Sequence, residues 1–380
     1  MEKDAFINRV LLDNLKKEVQ PKRVVIVYGP RQVGKTTLLE KYLETVKELF
    51  GFYNGEDIET QKLFTSQSIG KYKSLLAGKE LLVIDEAQKI ENIGLNLKII
   101  VDHLPQLKII ASGSSSFSLA KKVGEPLAGR KRTLTLFPLS QIELNTVEDY
   151  IETKSKLEER LIYGTYPKVV VTGGFLQKQA ILKELVSSYL CKDILELNGV
   201  RYSRKIIDLL TLLAFQIGKE VSLSELGSNL DMSKGTVARY LDLLEQTFVL
   251  INVRGFSRNL RKEITKNSRY YFYDTGVRNA LINNFNALYQ RDDVGMLWEN
   301  YIVIERLKKQ SYRGIHSNSY FWRTYDQKEI DWVEEREGKL FGYEIKWGEG
   351  KVKIPKDWLE TYKNASFEVI NQENYLDFIT

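Results

Sequence analysis

Residues 23–43, RVVIVYGPRQVGKTTLLEKYL, set the fold class of the amino-terminal part of this 380-residue chain. An apolar, β-branched run comes first, a loop bounded by glycines follows, and a helical pattern begins near Lys35. The loop fits the pattern G-x-x-x-x-G-K-[ST] from Gly29 to Thr36. Glycines at those places let backbone amides turn inward around phosphate oxygens, and the helix that follows adds partial positive charge. The stretch therefore predicts a parallel-sheet α/β domain with a phosphate-binding loop.

The side chains of this loop predict how a nucleotide would be held. We expect Lys35 to reach the β- and γ-phosphate oxygens and Thr36 to ligate magnesium. The residues expected to surround the nucleotide are Gly29, Pro30, Arg31, Gln32, Val33, Gly34, Lys35, Thr36 and Thr37. The sequence has no Asn-Lys-x-Asp stretch that would bind guanine, so we expect ATP and magnesium as cofactors. The alternative is a glycine loop that binds no nucleotide.

A second buried strand carries acids suited to this chemistry. Residues 80–90, ELLVIDEAQKI, give four apolar residues that end in Asp85 and Glu86. Ligands of open α/β sheets bind at the carboxyl ends of the strands, where both acids would lie. We expect Asp85 to hold magnesium through water and Glu86 to orient and deprotonate the attacking water. A charged strand end without chemistry is the alternative.

Hydroxyls and arginines complete this candidate site. Residues 107–119, LKIIASGSSSFSL, predict a third buried strand that ends in hydroxyls. We expect Ser112 or Ser114 to sense the γ-phosphate or to hold the attacking water, and the alternative is an ordinary serine-rich turn. Arg130 lies in a glycine turn and is the first candidate for an arginine that reaches the transferring phosphate, in its own subunit or a neighbour's. Arg132 is the second candidate, and a surface salt bridge is the alternative.

Residues 206–251 predict three helices and a strand, with a short turn between the second and third helices. This pattern indicates a helix-turn-helix, and two alternating strands after it predict the wing of a winged helix. The third helix is expected to turn Val237, Leu241 and Leu244 inward. Residues left for a partner are Ser233, Lys234, Thr236, Arg239 and Tyr240.

A basic stripe follows in residues 252–270, where one acid, Glu263, accompanies Arg254, Arg258, Arg261, Lys262, Lys266 and Arg269. A stripe of this kind favours contact with a polyanion. The expected DNA-binding residues are Lys234, Arg239, Arg254, Arg258, Arg261 and Lys262. An inert spacer or a protein-docking module is the alternative, since winged helices also serve those purposes.

The tail predicts a hairpin that gathers charge on one face. A two-residue loop at positions 337 and 338 pairs Arg336 with Lys339. The same ladder gives two further pairs on one face, Asp331 with Glu344 and Glu329 with Lys346. Opposed carboxylates repel each other unless a cation lies between them, so this face argues for chemistry. An amphipathic helix that precedes the hairpin holds Glu299.

Together these motifs resemble the archaeal and bacterial AAA-type ATPases that carry a C-terminal domain of unknown function. The resemblance rests on GPRQVGKTTLL, LLVIDEAQKI, IIASGSSS, LAGR, FPLS and YGTYPKVV, and it implies ATP binding and hydrolysis. The tail is similar to the PD-(D/E)xK nuclease superfamily, which implies metal-binding roles for Glu299, Asp331 and Glu344. Catalytic roles would fall to Asp331, Glu344 and Lys346, with Ile330 where a proline often stands. An active nuclease, a silent nucleic-acid-binding fold and a plain ion-pair face all stay open.

We expect an α/β chain of three domains. They are a P-loop ATPase domain with a small helical lid (1–186), a winged helix (187–275) and a PD-(D/E)xK-like α/β domain (276–380). The expected function is that of a magnesium-dependent ATPase whose nucleotide state controls the binding of double-stranded or branched DNA, with cleavage by the tail left open. The alternative is a nucleotide-switched regulator whose silent tail binds DNA or a protein. A homo-oligomer is compatible with either.

Composition excludes several other classes. A hydrophobic content of 43% and a charged content of 28% are typical of globular protein. A single cysteine rules out an internal disulfide framework and, with two histidines, a cysteine-based zinc site. No apolar run approaches the ~18 residues of a membrane span, and no secretory signal is visible at the start. We therefore expect a cytoplasmic protein with no membrane partner.

Overall fold

The computed structural model describes residues 7–114, 127–190, 203–257, 268–324, 328–348 and 356–380. Its contacts divide the chain into two compact units. The amino-terminal unit comprises Phe6–Leu139 with Gln246–Phe248, and the carboxyl-terminal unit comprises Ser140–Glu245 and Val249–Thr380. None of the helices within these described ranges is long and apolar enough to cross a membrane.

The amino-terminal unit is built on a parallel sheet flanked by helices. Its strands are β1 (Val24–Tyr28), β2 (Phe50–Asn54), β3 (Leu81–Asp85), β4 (Lys108–Gly113) and β5 (Lys131–Thr135). They pair in the order β2-β3-β4-β1-β5, and every pairing is parallel. Its helices are α1 (Val10–Glu18), α2 (Lys35–Leu43), α3 (Ile58–Phe64), α4 (Ile69–Leu75) and α5 (Ile93–His103).

Burial of its strands explains why this sheet forms, and their parallel direction determines which edge carries the candidate site. All five residues of β1 and of β3 are buried, as expected for parallel strands covered on both faces. Because the strands are parallel, β1, β3 and β4 present their carboxyl ends at one edge. The phosphate-binding loop after Tyr28, the acid Asp85 and the hydroxyl of Ser112 therefore belong to the same edge of the sheet.

Short helices open the carboxyl-terminal unit: α6 (Gln141–Leu144), α7 (Tyr150–Ser155), α8 (Leu157–Tyr163), α9 (Pro167–Val171) and α10 (Phe175–Glu184). The sequence predicted an ATPase domain with a small helical lid over residues 1–186, and these domain bounds stay a prediction. The contacts of the structure group residues 140–186 with the carboxyl-terminal unit. One contact of this group is a close approach at Gly164. A Cβ at Gly164 would lie 2.1 Å from Asp274 Oδ1, and the backbone N–H of Thr165 donates to Asp274 Oδ2 at 2.7 Å.

The middle segment contains α11 (Ser203–Phe215), β6 (Glu220–Val221), α12 (Leu223–Leu230), α13 (Lys234–Gln246), β7 (Leu250–Gly255), β8 (Ser268–Phe272) and α14 (Thr275–Leu281). Ser222 caps the helix α12, because its side chain accepts a hydrogen bond from the backbone N–H of Glu225. Val237, Leu241 and Leu244 are buried as predicted. Tyr240 was expected to face a partner, and this was wrong, since it is only 1% exposed.

The tail contains α15 (Val294–Arg313), β9 (Asn318–Arg323), β10 (Glu329–Arg336), β11 (Lys339–Ile345), α16 (Lys356–Thr361), β12 (Ala365–Ile370) and α17 (Tyr375–Ile379). Among the described residues, one sheet runs in the order β12-β11-β10-β9-β7-β8-β6. The parallel pairing of β7 with β9, Arg254 opposite Tyr320, joins the middle strands to the tail strands. The expected boundary at residue 275 therefore separates strands that share a sheet.

The tail hairpin has the predicted register from its turn as far as Trp332 opposite Tyr343, and the expected pairs Asp331 with Glu344 and Glu329 with Lys346 stay predictions. Arg336 pairs with Lys339, and the ladder runs on to Trp332 opposite Tyr343. Both loop residues have left-handed backbone angles, with φ of 51° at Glu337 and 72° at Gly338. Such angles are typical of the two-residue turns that match the twist of a hairpin.

Candidate functional site

The phosphate-binding loop links β1 to α2, as the sequence predicted. Gly34 caps α2 with a left-handed φ of 91°, a backbone shape that glycine adopts without strain. A Cβ at Gly29 would lie 2.2 Å from the backbone oxygen of Leu136, so a larger residue cannot fit there. The amides of the first turn of α2 point out of the helix end into this loop, where an anion would be stabilised.

Two buried cationic side chains donate hydrogen bonds to backbone oxygens in and next to the loop. The ammonium of Lys35, which is 5% exposed, donates to the backbone oxygens of Gly29 at 3.0 Å and Pro30 at 2.9 Å. The guanidinium of Arg9 donates to the oxygens of Val33 at 2.7 Å and Phe137 at 2.6 Å. Sequence reasoning missed Arg9, because nothing local predicts that its partners lie 24 and 128 positions away.

A hydrogen-bonded chain joins the loop to the acid of β3. Thr36 Oγ1 donates to Asp85 Oδ2 at 2.6 Å, and Ser112 Oγ donates to Asp85 Oδ1. Ser112 also accepts from the backbone N–H of Glu86 at 3.2 Å. A hydroxyl beside a carboxylate is an oxygen pair of the kind that magnesium prefers, so these residues fit the implied ion.

The second acid has its own support. Glu86 adopts a left-handed φ of 47°, which turns the chain just past the strand end. The amide of Gln88 donates to Glu86 Oε2 and to Ser114 Oγ, the latter at 3.1 Å. Gln88 is a positioning residue that sequence reasoning did not single out. Its place two residues after Glu86 was the available signal.

Other predicted nucleotide residues lie along the same loop. Gly29 and Pro30 are buried, Arg31 is half-buried, and Thr36 and Thr37 are exposed at the start of α2. Gln32 is exposed and adopts a left-handed φ of 61°. Nucleotide contacts by these residues, and γ-phosphate sensing by Ser112 or Ser114, stay predictions.

The structure does not bring Arg130 to the loop of its own subunit. Lys131 pairs with Val24, so Arg130 lies at the amino end of β1, whereas the loop follows its carboxyl end. Five residues of strand separate the two ends by roughly 17 Å. The guanidinium instead forms an ion pair with Asp102, in which Nη1 lies 3.0 Å from Oδ1. A role for Arg130 in a neighbouring subunit stays a prediction.

Arg132, the second candidate, is equally remote from the loop within its subunit. It occupies the second position of β5, opposite Val25, near the amino end of the sheet. Its Nε lies 3.5 Å from Glu18 Oε2, and its side chain is 62% exposed. Arg130 and Arg132 both form surface salt bridges, which was the alternative considered for them.

The acidic side chains of the tail surround the guanidinium of Arg269. Arg269 was counted in the basic stripe, but it is 4% exposed on β8. Its Nη2 lies 2.7 Å from Glu329 Oε2, and its Nη1 lies 3.4 Å from Asp331 Oδ1 and 3.7 Å from Glu299 Oε1. An arginine counted in the basic stripe is therefore an internal counter-ion.

The predicted catalytic residues Glu344, on β11, and Lys346, just after it, are also held by local contacts. Lys346 Nζ lies 2.6 Å from Glu344 Oε1, and Asp331 Oδ2 accepts from the backbone N–H of Ile345 at 2.9 Å. Glu299 accepts from the hydroxyl of Tyr271 at 2.7 Å. In the parts of the chain that the structure describes, no group of three or more histidine, cysteine or acidic residues is arranged to hold a metal ion.

Burial perturbs the protonation of this cluster. Desolvation, followed by the charge of Asp331, raises the pKa of Glu299 to about 8 and that of Glu344 to about 7. Desolvation likewise raises the pKa of Asp331, although the Ile345 N–H and two cations oppose the shift. Carboxyls in such surroundings resist carrying full charge together.

The predicted DNA-binding residues divide into two groups. Lys234 and Arg239 on α13 and Arg254 on β7 are exposed. Arg258, Arg261 and Lys262 lie outside the described residues. DNA contact by any of the six stays a prediction.

Comparison with known families fits this geometry. Residues 21–145 match the model of an AAA domain. Residues 154–288 match a domain of unknown function (DUF8612), and residues 294–373 match another (DUF4143). The AAA match covers β1, the phosphate-binding loop and both acids, and it confirms an AAA-type, P-loop ATPase-like domain here.

Relatives align with most of the chain. An uncharacterized protein of Mycobacterium tuberculosis is 28% identical over 338 residues, covering 87% of this chain and 72% of that protein. Another from Haemophilus influenzae is 24% identical, covering 89% of this chain and 84% of that protein. A third, from Methanocaldococcus jannaschii, is 22% identical, covering 89% of this chain and 81% of that protein.

Two solved structures show limited likeness. A signal transduction ATPase with numerous domains and a tetratricopeptide repeat sensor, from Pyrococcus horikoshii, has a TM-score of 0.32 and 13% identity. The match covers 81% of this chain and 46% of that one. RuvB of Thermotoga maritima has a TM-score of 0.29 and 17% identity, covering 64% of this chain and 86% of that one. Likenesses at such TM-scores carry no argument about function.

Proposed function

We propose that the amino-terminal unit is a magnesium-dependent ATP hydrolase. The observation that carries the proposal is the meeting of the loop with the acid of β3, where Thr36 Oγ1 and Asp85 Oδ2 are 2.6 Å apart. Glu86, the next residue, is a second acid at the same strand end. A match to an AAA domain over residues 21–145 supports the same chemistry.

Each residue has a defined task in this proposal. The amides at the start of α2 bind phosphate oxygens, and Lys35 exchanges its two carbonyl acceptors for the β- and γ-phosphates. Thr36 and Asp85 would hold magnesium, which when bound supplies positive charge to the phosphate oxygens. Glu86 orients the attacking water and accepts its proton.

Two further residues hold the acids in place. Ser112 fixes one oxygen of Asp85, and Gln88 fixes one oxygen of Glu86. These contacts limit the orientations that either carboxylate can adopt, which is the condition for a well-positioned water.

Steady-state ATP turnover tests the proposal. We expect Lys35→Ala to abolish turnover while the thermal melting curve stays close to that of the native chain. Lys41→Ala is the matched control, because Lys41 lies on the same helix and its ion pair with Glu44 is exposed. Turnover that survives in folded Lys35→Ala would refute the assignment of the loop.

We further propose that the middle segment is a winged helix that binds duplex DNA. Its order of elements, with α12 and α13 joined by a short turn and β7 and β8 antiparallel beyond them, supports this fold. The specific observation in favour of DNA is that Lys234 and Arg239 are both exposed on α13. That helix would enter the major groove.

Binding of a fluorescent DNA duplex at several salt concentrations tests this second function. Replacing Lys234 and Arg239 together by glutamate should weaken binding and reduce the slope of log affinity against log salt by about 2. Lys219→Glu, at an exposed lysine outside α13, is the control. An unchanged slope in the double variant would favour the spacer or protein-docking alternative.

The tail is proposed to carry a PD-(D/E)xK-like fold. The succession α15, β9, β10, β11, α16 and β12, with β11 and β12 parallel and the other pairs antiparallel, supports this proposal. The carboxylates do not fit the metal that this fold implies, because a guanidinium lies among them. No cleavage step is therefore assigned to the tail.

A further inference from the structure

We propose that Arg269 takes the place of the divalent cation in the acid cluster of the tail. The cluster would then work as an ion-pair joint between β8, β10 and α15 and would cleave no nucleic acid. This inference rests on the PD-(D/E)xK-like fold proposed for the tail, and it is independent of ATP hydrolysis in the amino-terminal unit.

The guanidinium lies where a metal of this fold would be expected. It contacts one acid of α15, Glu299 at 3.7 Å, and two acids of β10, Glu329 at 2.7 Å and Asp331 at 3.4 Å. Two of these acids are the helix acid and the first strand acid that the superfamily pattern assigns to metal binding. A single side chain therefore supplies the positive charge that opposed carboxylates require.

The guanidinium is also fixed from its other side. Its central carbon lies 4.5 Å from the centre of the Phe321 ring, and Phe321 is 2% exposed. Arginine stacks well on aromatic faces and presents its donors in a rigid fork. A metal that displaced Arg269 would leave a buried charge without its partners, which is strongly unfavourable.

Two further oxygens of the cluster already accept from donors, whereas Glu344 Oε2 is buried without a hydrogen-bond partner among the described residues. Asp331 Oδ2 accepts from the backbone N–H of Ile345 at 2.9 Å, and Glu344 Oε1 pairs with Lys346 at 2.6 Å. Magnesium demands nearly octahedral oxygen ligands at about 2.0–2.1 Å and gives up its waters reluctantly. While Arg269 occupies the cluster, a single unbound carboxylate oxygen, Glu344 Oε2, does not offer that geometry.

The joint links segments that the sequence separates widely. Arg269 lies 60 positions from Glu329 along the chain, yet the two groups form an ion pair. A second pair nearby, Arg323 with Glu220 at 2.8 Å, connects β9 with β6. Both pairs fasten the middle strands to the tail strands, so the tail would serve to hold the middle segment in place.

Titration of manganese chloride into nucleotide-free full-length chain, followed by electron paramagnetic resonance, tests the proposal. All chains carry Asp85→Asn, which removes the carboxylate from the other proposed magnesium site, where Thr36 is the second ligand. We expect no manganese site that depends on Glu344, so adding Glu344→Gln should change nothing. Adding Arg269→Met instead should open a single site, which a further Glu344→Gln should abolish.

Arg323→Met is the control for the loss of an ion pair between strands. Arg323 lies opposite Glu329 in the sheet, but its ion pair is with Glu220, which is not an acid of the cluster, so this variant should open no site. A manganese site that Glu344→Gln abolishes while Arg269 is intact would overturn the proposal. So would a folded Arg269→Met chain that gains no site. If Arg269→Met does not fold, the comparison with and without Glu344→Gln decides by itself, since no Glu344-dependent binding supports the proposal and such binding refutes it.

Discussion

Replacing Ser112 with alanine should slow ATP turnover far more than it weakens ATP binding. Ser112 is fully buried, donates to Asp85 Oδ1 and accepts from the backbone N–H of Glu86 at 3.2 Å. Alanine removes both hydrogen bonds and adds no bulk. The phosphate-binding loop itself is unchanged, so the loss should fall on the position of the two acids.

The size of the effect follows from the charge of the partner. A hydrogen bond to a charged group contributes about 1.5–3 kcal/mol. If that loss appears in the transition state alone, kcat falls by roughly 10- to 150-fold at about 1.4 kcal/mol per tenfold change. The KM for ATP should change little, because KM would reflect the loop contacts.

Steady-state kinetics at saturating magnesium, with thermal melting as a check of folding, measures this effect. Ser114→Ala is a graded comparison, since Ser114 contacts Gln88 at 3.1 Å and is bonded to neither acid. It should lower kcat less than Ser112→Ala does. A folded Ser112→Ala chain with kcat within twofold of the native value, or with its loss confined to KM, would refute the positioning role.

Three other predictions concern catalysis, packing and pH. Glu86→Gln should bind ATP with native affinity in calorimetry but hydrolyse it at least about 100-fold more slowly, because the amide cannot accept the proton of the water; native turnover would remove Glu86 from the mechanism. Gly29→Ala should lower the melting temperature and abolish ATP binding, since its Cβ would lie 2.2 Å from the Leu136 oxygen; an unshifted melt would contradict this packing. Burial raises the pKa of Glu299 from 4.5 to about 8. The free energy of unfolding should therefore fall as pH rises from 5 to 8, by up to about 1.4 kcal/mol per pH unit, because the carboxyl of the unfolded chain releases its proton first. Urea unfolding across that range should show a flatter profile for Glu299→Gln, and an identical profile would refute the shift.

Local patterns in the sequence predicted the parts of the structure that local chemistry determines. The phosphate-binding loop requires glycine angles at fixed spacing, so its pattern and its conformation correspond closely. The hairpin register was predictable because Glu337 and Gly338 both tolerate a left-handed backbone, which selects a two-residue turn. From that turn outward, each pair of residues follows by counting.

Features that depend on distant partners could not be predicted in this way. A run of basic residues reveals its charge but not its burial, so Arg269 looked like part of a surface stripe. Arg130 was expected near the phosphate site, but it lies at the amino end of β5. The order and direction of neighbouring strands determine that position, and a local sequence pattern does not reveal them. Tyr240 lies on the flank of α13, where a helical pattern leaves the width of the buried face uncertain.

Calorimetric titration of MgATP into nucleotide-free chain tests the central claim, that the loop between β1 and α2 binds a triphosphate. We expect saturable binding at one site per chain that disappears in Lys35→Ala and persists in Lys41→Ala. A well-folded native chain that gives no saturable heat, or a Lys35→Ala chain that binds as tightly as the native one, would contradict it.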